Sequence, residues 1–168
     1  MKQGTVSVLV GCHSPVHSVI VVLAWKKLYG KWPTFKELVC IFLHDIGHWG
    51  LDYLDDVEQK NKHWRLGAQV AEWLFGIEGY RLCAGHCRQS GMGESKLYRA
   101  DKYSWHIAPF WWVWLNNFTE PKIMVGYTSS AAAVRDFKAR VKESVESGSF
   151  SETHKFYLER RRRAEETV

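Results

Sequence analysis

Residues 34–50 read TFKELVCIFLHDIGHWG and set out a helix and the turn that ends it. Thr34 and Glu37 stand at the spacing of a capping box, in which the Thr hydroxyl accepts from a backbone N–H and the Glu carboxylate reaches back. The apolar run LVCIFL carries the predicted helix through Ile46, and Gly47 and Gly50 halt it. His44 and Asp45 therefore fall near a helix C-terminus. Neighbouring helical positions point about 100° apart, so an adjacent His-Asp pair reaches one ion only along a shared edge. On the dipeptide alone, two polar residues meeting water after an apolar run is the simpler reading.

Four other places in the chain reverse that preference. Residues 16–29, VHSVIVVLAWKKLY, are apolar at helical spacing, end on a Lys pair and are stopped by Gly30 and Pro33. This puts His17 in a first helical turn. His13 precedes Pro15 and lies outside that helix, so His17 is the better candidate of the two. Asn61 is expected to cap a helix from Lys62 to Phe75 that ends at Gly76, with His63, Leu66, Gly67, Val70 and Leu74 on one face. Gly67-Ala68 is expected to let a neighbouring helix approach closely. Tyr80 to Arg88 reads as a further helix carrying Leu82, Cys83 and His86, followed by the turn Ser90–Gly93. The next helix starts at Glu94 or Ser95 and places Asp101 near Leu97, Ala100 and Ser104. A carboxylate buried there without a cation would be expensive, which favours a metal.

The six donors His17, His44, Asp45, His63, His86 and Asp101 offer imidazole nitrogen and carboxylate oxygen. Such donors suit Fe, Mn, Co, Ni or Zn, and two ions need about this many protein ligands when water completes each shell. Their order and context resemble the HD superfamily of metal-dependent phosphohydrolases over roughly residues 17–102: LHDIGH, then His63 in HWRLGA, His86 in AGH before SGMG, and Asp101 in SKLYRADK. The resemblance implies one metal on His17, His44 and Asp101, a second on His63 and His86, and Asp45 bridging both. A bridging water or hydroxide would face the substrate, with no side chain acting as nucleophile. Within the superfamily the chain looks most like the small symmetrical dinucleoside tetraphosphate hydrolases, although its Gly-containing turn is shorter. His48 stands where many members carry Lys, which makes it a candidate for catalysis and for phosphate binding; a helix-terminal surface His is the plain alternative. Lys102, directly after Asp101, is the second substrate-binding candidate. The same ligand order occurs in HD-fold di-iron oxygenases acting on small organic substrates, so ligand identity leaves both chemistries open. Net positive charge and the Gly turn lean towards phosphate.

Length and composition bound the remainder. The chain of 168 residues fits a single domain over 1–168, with a ligand-bearing core at about 13–118 and C-terminal helices at about 130–167. The expected fold is all-α, an HD-type bundle of about six to seven helices. With 23 Lys and Arg against 18 Asp and Glu, the net charge of +5 favours an anionic small-molecule partner such as a nucleotide. It is too small to argue for nucleic acid without a defined basic surface. Phe110–Leu115, FWWVWL, reads first as a core-packing helix and second as a base-stacking surface. Cys12, Cys40, Cys83 and Cys87 lack a Cys-x-x-Cys spacing and read as reduced, buried thiols, Cys87 included. Ser130–Gly148 reads as an amphipathic helix with Val134, Phe137, Val141 and Val145 inward. Ser151 is expected to cap a final helix ending in Arg160–Arg163, where cations complement the helix dipole. Leu9-Val10-Gly11-Cys12 looks like a lipoprotein cleavage site, but the preceding apolar stretch is short. No run approaches about 18 uncharged residues. A cytoplasmic protein without a membrane span is the expectation.

Overall fold

The computed structural model describes residues 2–51, 58, 61–119 and 130–147. These build seven α-helices and, among the described residues, no strand: α1 Gln3–Val10, α2 Pro15–Tyr29, α3 Phe35–Leu43, α4 Trp64–Ala84, α5 Lys96–Ile107, α6 Phe110–Thr119 and α7 Ser130–Ser147. The fold is all-α, as expected. Short 3₁₀ turns occupy Ile46–His48 and Arg88–Ser90. The chain gathers into two compact units, Met1–Ser104 and Trp105–Val168.

In the first unit, α2 opens with Pro15 at its first turn and closes on Gly30, whose φ of 69° is the left-handed cap that glycine favours. The capping box of α3 forms, with Thr34 Oγ1 accepting from the Glu37 N–H at 3.4 Å and Glu37 accepting from the Thr34 N–H at 2.8 Å. Such caps contribute about 1 kcal/mol. α3 stops at Leu43, three residues before the predicted Ile46. The chain turns there because Gly47 is drawn onto the backbone of His63: a Cβ on Gly47 would lie 1.7 Å from that carbonyl oxygen. The expected close approach of Gly67 is also present, since its Cβ would stand 2.2 Å from the Leu43 carbonyl oxygen.

The helix expected from Lys62 begins at Trp64 with His63 in the cap position, and the one expected to reach Arg88 ends at Ala84. Between them Gly76 breaks the helical path with φ 66° and ψ −160°. Gly79 then packs on the first half, where its Cβ would meet the Ala71 carbonyl oxygen at 2.3 Å.

α3 divides two apolar clusters. On one side Cys40 packs with Trp64, Ala68, Ala71, Cys83, Ala84 and Cys87. On the other Ile41 packs with Val21, Trp25, Leu97 and Ala100. All four cysteines are buried thiols outside any disulfide. The C-terminal end of α3 thus emerges between α2, α4 and α5.

α1 has no counterpart in the sequence reading, because GTVSVLV is rich in β-branched residues of modest helix propensity. Tertiary packing overrides this: Gly4 donates its N–H to the Leu51 carbonyl at 2.8 Å, and its Cβ would lie 2.2 Å from the His48 carbonyl oxygen. Among the described residues no single helix is long and apolar enough to cross a membrane; Gly4–Val10 and Pro15–Tyr29 together reach that composition across a 61° bend.

In the second unit Trp105 packs on Trp112 and Phe137 with ring centroids 5.4 and 5.9 Å apart. His106 Nδ1 meets the Lys138 carbonyl oxygen at 2.9 Å. Within FWWVWL, Trp112 and Val113 are buried while Phe110, Trp111, Trp114 and Leu115 are exposed. Val134 and Val141 point inward on α7 as expected. The burial of Val145, the helix expected from Ser151 and the Arg160–Arg163 run lie outside the described residues.

Candidate metal centre

The fold brings all six candidate ligands around the carboxylate of Asp45. His17 comes from the first turn of α2, His44 and Asp45 from the turn after α3, His63 from the residue before α4, His86 from the turn after α4, and Asp101 from the middle of α5. Two of the groups formed this way are His17, His44, Asp45 and Asp101, and Asp45, His63 and His86.

The two oxygens of Asp45 face different groups. Oδ2 lies 3.1 Å from His44 Nε2 and 3.6 Å from His17 Nε2, while Oδ1 lies 3.5 Å from His86 Nε2 and 3.7 Å from His63 Nε2. Asp101 Oδ1 closes the first group at 3.0 Å from His17 Nε2 and 3.8 Å from His44 Nε2. The Nε2 atoms of His63 and His86 close the second at 2.9 Å. Donors about 2.0–2.2 Å from a common ion stand roughly 3 Å apart at right angles and up to roughly 4 Å at wider angles. Each group has the spacing of a shell around one ion.

The outer hydrogen bonds turn the rings the same way. His44 Nδ1 donates to the carbonyl of Ile41 and His86 Nδ1 to the carbonyl of Cys83, each three residues back in a last helical turn. A carbonyl only accepts, so Nδ1 carries the proton and Nε2 is the atom left for a cation. His44 Nε2 is fully buried, with carboxylate oxygens of Asp45 and Asp101 3.1 and 3.8 Å away. Apolar packing alone would not leave such an atom between two carboxylates.

The electrostatics are those of a site that wants positive charge. Burial by itself would raise the Asp45 and Asp101 carboxyls, yet both are held well below the usual carboxylate range, Asp45 by His44 and His13 and Asp101 by Lys102, His17 and His44. Burial also pushes His44 down, but the Asp45 and Asp101 carboxylates outweigh it and raise its pKa from 6.5 to about 10. Without metal, a proton on His44 does part of the work of a cation. Lys102 does another part, its Nζ lying 2.7 Å from Asp101 Oδ2. Its side chain is a quarter exposed, so Lys102 stands on Asp101 at the edge of the centre.

His48 is buried, not superficial. Its Nε2 lies 3.7 Å from Asp45 Oδ1, the same separation as His63 Nε2. His13, the lesser candidate by sequence on account of Pro15, is also brought here and forms a further group with Asp45 and His48. Nothing local in the sequence marks it; its position depends on α1, which periodicity does not reveal.

No family model, curated protein or solved structure matches this chain. The centre itself has to carry the functional reading: a buried cluster of His and Asp side chains that can hold metal ions.

Proposed function

We propose that this chain is a metal-dependent phosphohydrolase of the HD type, acting on a phosphoester or phosphoanhydride of a nucleotide or dinucleotide. The observation that supports it most is the divided carboxylate of Asp45, with one oxygen toward His17, His44 and Asp101 and the other toward His63 and His86. In this reading two divalent transition metals are held, one by each group, from among Fe, Mn, Co, Ni and Zn. Two such ions supply a hydroxide nucleophile at neutral pH and Lewis-acid stabilisation of the phosphoryl and leaving oxygens.

The chain's own residues then have distinct tasks. Asp45 fixes the spacing of the two groups, and the Ile41 and Cys83 carbonyls hold His44 and His86 in the tautomer that presents Nε2. Lys102 neutralises Asp101 from the exposed side, where an anionic substrate would arrive. His48 stands beside Asp45 Oδ1 as the further substrate-side group. The net charge of +5 assists an anionic substrate.

The test is an anaerobic incubation of the protein with Mn, Co or Fe(II) and a panel of dinucleoside polyphosphates, nucleoside mono-, di- and triphosphates and cyclic dinucleotides, following phosphate and nucleotide products. Release from any member that disappears in Asp45→Ala supports the reading, since metal-hydroxide attack needs no dioxygen. Silence across the panel, with oxygen uptake on a small organic substrate, would replace it with the di-iron oxygenase.

A further inference from the structure

The two-ion reading leaves His13 unused and gives His48 no ligand role, although both stand on the carboxylate that organises the centre. We propose that His13, His48 and Oδ1 of Asp45 form a third divalent-cation position, filled last and completed by a phosphate-bearing ligand. It rests on the neighbouring His and Asp groups holding metal, and it adds a recruitment step to that reading: His48 would meet the phosphate through a cation.

The geometry is that of a ligand group. Donor atoms of His13, Asp45 and His48 all lie within 4.8 Å of one another. The His13 and His48 rings stack with centroids 3.8 Å apart and planes 27° from parallel, and His48 Nε2 stands 3.7 Å from Asp45 Oδ1. Simple stacking would place no demand on the ring nitrogens, whereas here donors of both rings gather about one carboxylate.

Ser7 supplies the second observation. Its Oγ lies 2.7 Å from His13 Nδ1 and donates its own proton to Cys12 Sγ at 3.8 Å. A Ser7 hydroxyl that accepts from His13 Nδ1 would leave the lone pair of that ring on Nε2. That is how the carbonyls of Ile41 and Cys83 set His44 and His86, and it is the usual outer partner of a metal-bound imidazole. The His13 N–H is tied to the Ser7 carbonyl at 3.2 Å, and Gly4 packs on the His48 carbonyl. One short helix, α1, therefore positions both histidines.

This position is the weakest of the three because its one carboxylate oxygen is shared with the His63–His86 group. Two imidazoles add no negative charge, so a third dication is favoured when an anion comes with it. His13 is only half-buried, which leaves an approach for that anion.

The experiment is equilibrium dialysis of chelator-stripped protein against Mn(II), with metal counted by mass spectrometry, with and without inorganic phosphate. The wild type is expected to take up two equivalents and then a weaker third that tightens with phosphate. His13→Gln should stop at two. Ser7→Ala, which keeps every ligand, should weaken the third equivalent by about 10–100-fold with an unchanged far-ultraviolet circular dichroism spectrum. Saturation of the wild type at two equivalents with phosphate present, or a third that survives both substitutions, would overturn the proposal. A wild type that binds two ions and releases phosphate would leave the hydrolase standing while removing the third position. One that binds no metal would remove both.

Discussion

The Nε2 atoms of His63 and His86 lie 2.9 Å apart, yet these residues flank opposite ends of the 21-residue α4. A straight helix of that length would hold its ends about 31 Å apart. The chain must fold back within it, and Gly76, at φ 66° and ψ −160°, is where it does so. That region is essentially closed to residues with a Cβ. Gly76→Ala is therefore expected to destabilise the protein by about 1–3 kcal/mol. It should also loosen metal held by His63 and His86 ahead of metal held by His17, His44 and Asp101. Denaturant unfolding together with metal content checks both, and an unchanged midpoint with full metal would contradict the account.

Asp45 and His63 should fail differently. Asp45 serves both groups, so Asp45→Ala is expected to empty both and to remove several kcal/mol of transition-state stabilisation, about 10³-fold or more in turnover. His63→Ala should cost one equivalent of metal and leave the other. Metal analysis of the two variants distinguishes them, and near-wild-type turnover of Asp45→Ala would end the phosphohydrolase reading.

Most of the centre is legible in the sequence because its residues sit beside strong local signals. Thr34 and Glu37 announce α3 and so locate His44 and Asp45; Gly30 and Pro33 bound the helix of His17; Gly76 reads as a stop. Less legible is anything set by long-range packing. α3 ends early because Gly47 meets the His63 carbonyl, an encounter between segments that no local window contains. α1 forms against Leu51 and His48 despite its β-branched sequence, and the places of Ser7 and His13 are hidden with it. A residue between two helix-breaking glycines, here Gly47 and Gly50, usually lies at the surface, so nothing local reveals that His48 is buried. Its burial depends on His13 and His63, whose rings stack on it with centroids 3.8 and 4.1 Å away.

Gly67 offers a test of the packing that aims His44. Its Cβ would lie 2.2 Å from the Leu43 carbonyl oxygen and 3.3 Å from the His44 Cα. Backbone cannot yield as a flexible side chain can, so Gly67→Ala should push α4 from the end of α3 at a cost of about 1–3 kcal/mol. A thermal midpoint equal to that of the wild type would show that the helices do not approach so closely.

The charges left when metal is stripped make stability depend on pH. His44 has its pKa raised to about 10 in the folded chain from an ordinary value of 6.5, so its contribution to stability is complete below about 6.5 and is lost as pH rises through 10. Asp45 and Asp101 are lowered, so theirs is present above their ordinary value of 3.8 and is lost as pH falls toward the folded values. Chelator-treated protein should therefore be most stable between about pH 4 and 6.5 and should lose up to about 1.4 kcal/mol per pH unit above that window on account of His44. A divalent ion replaces the proton on His44 Nε2, so metal affinity should rise by about tenfold per pH unit over the same range. Melting curves from pH 5 to 9.5, with chelator and with Mn(II), should diverge as pH increases. Chelated protein that gains stability between pH 6.5 and 9.5 would mean that His44 is not the proton-holding member of the centre.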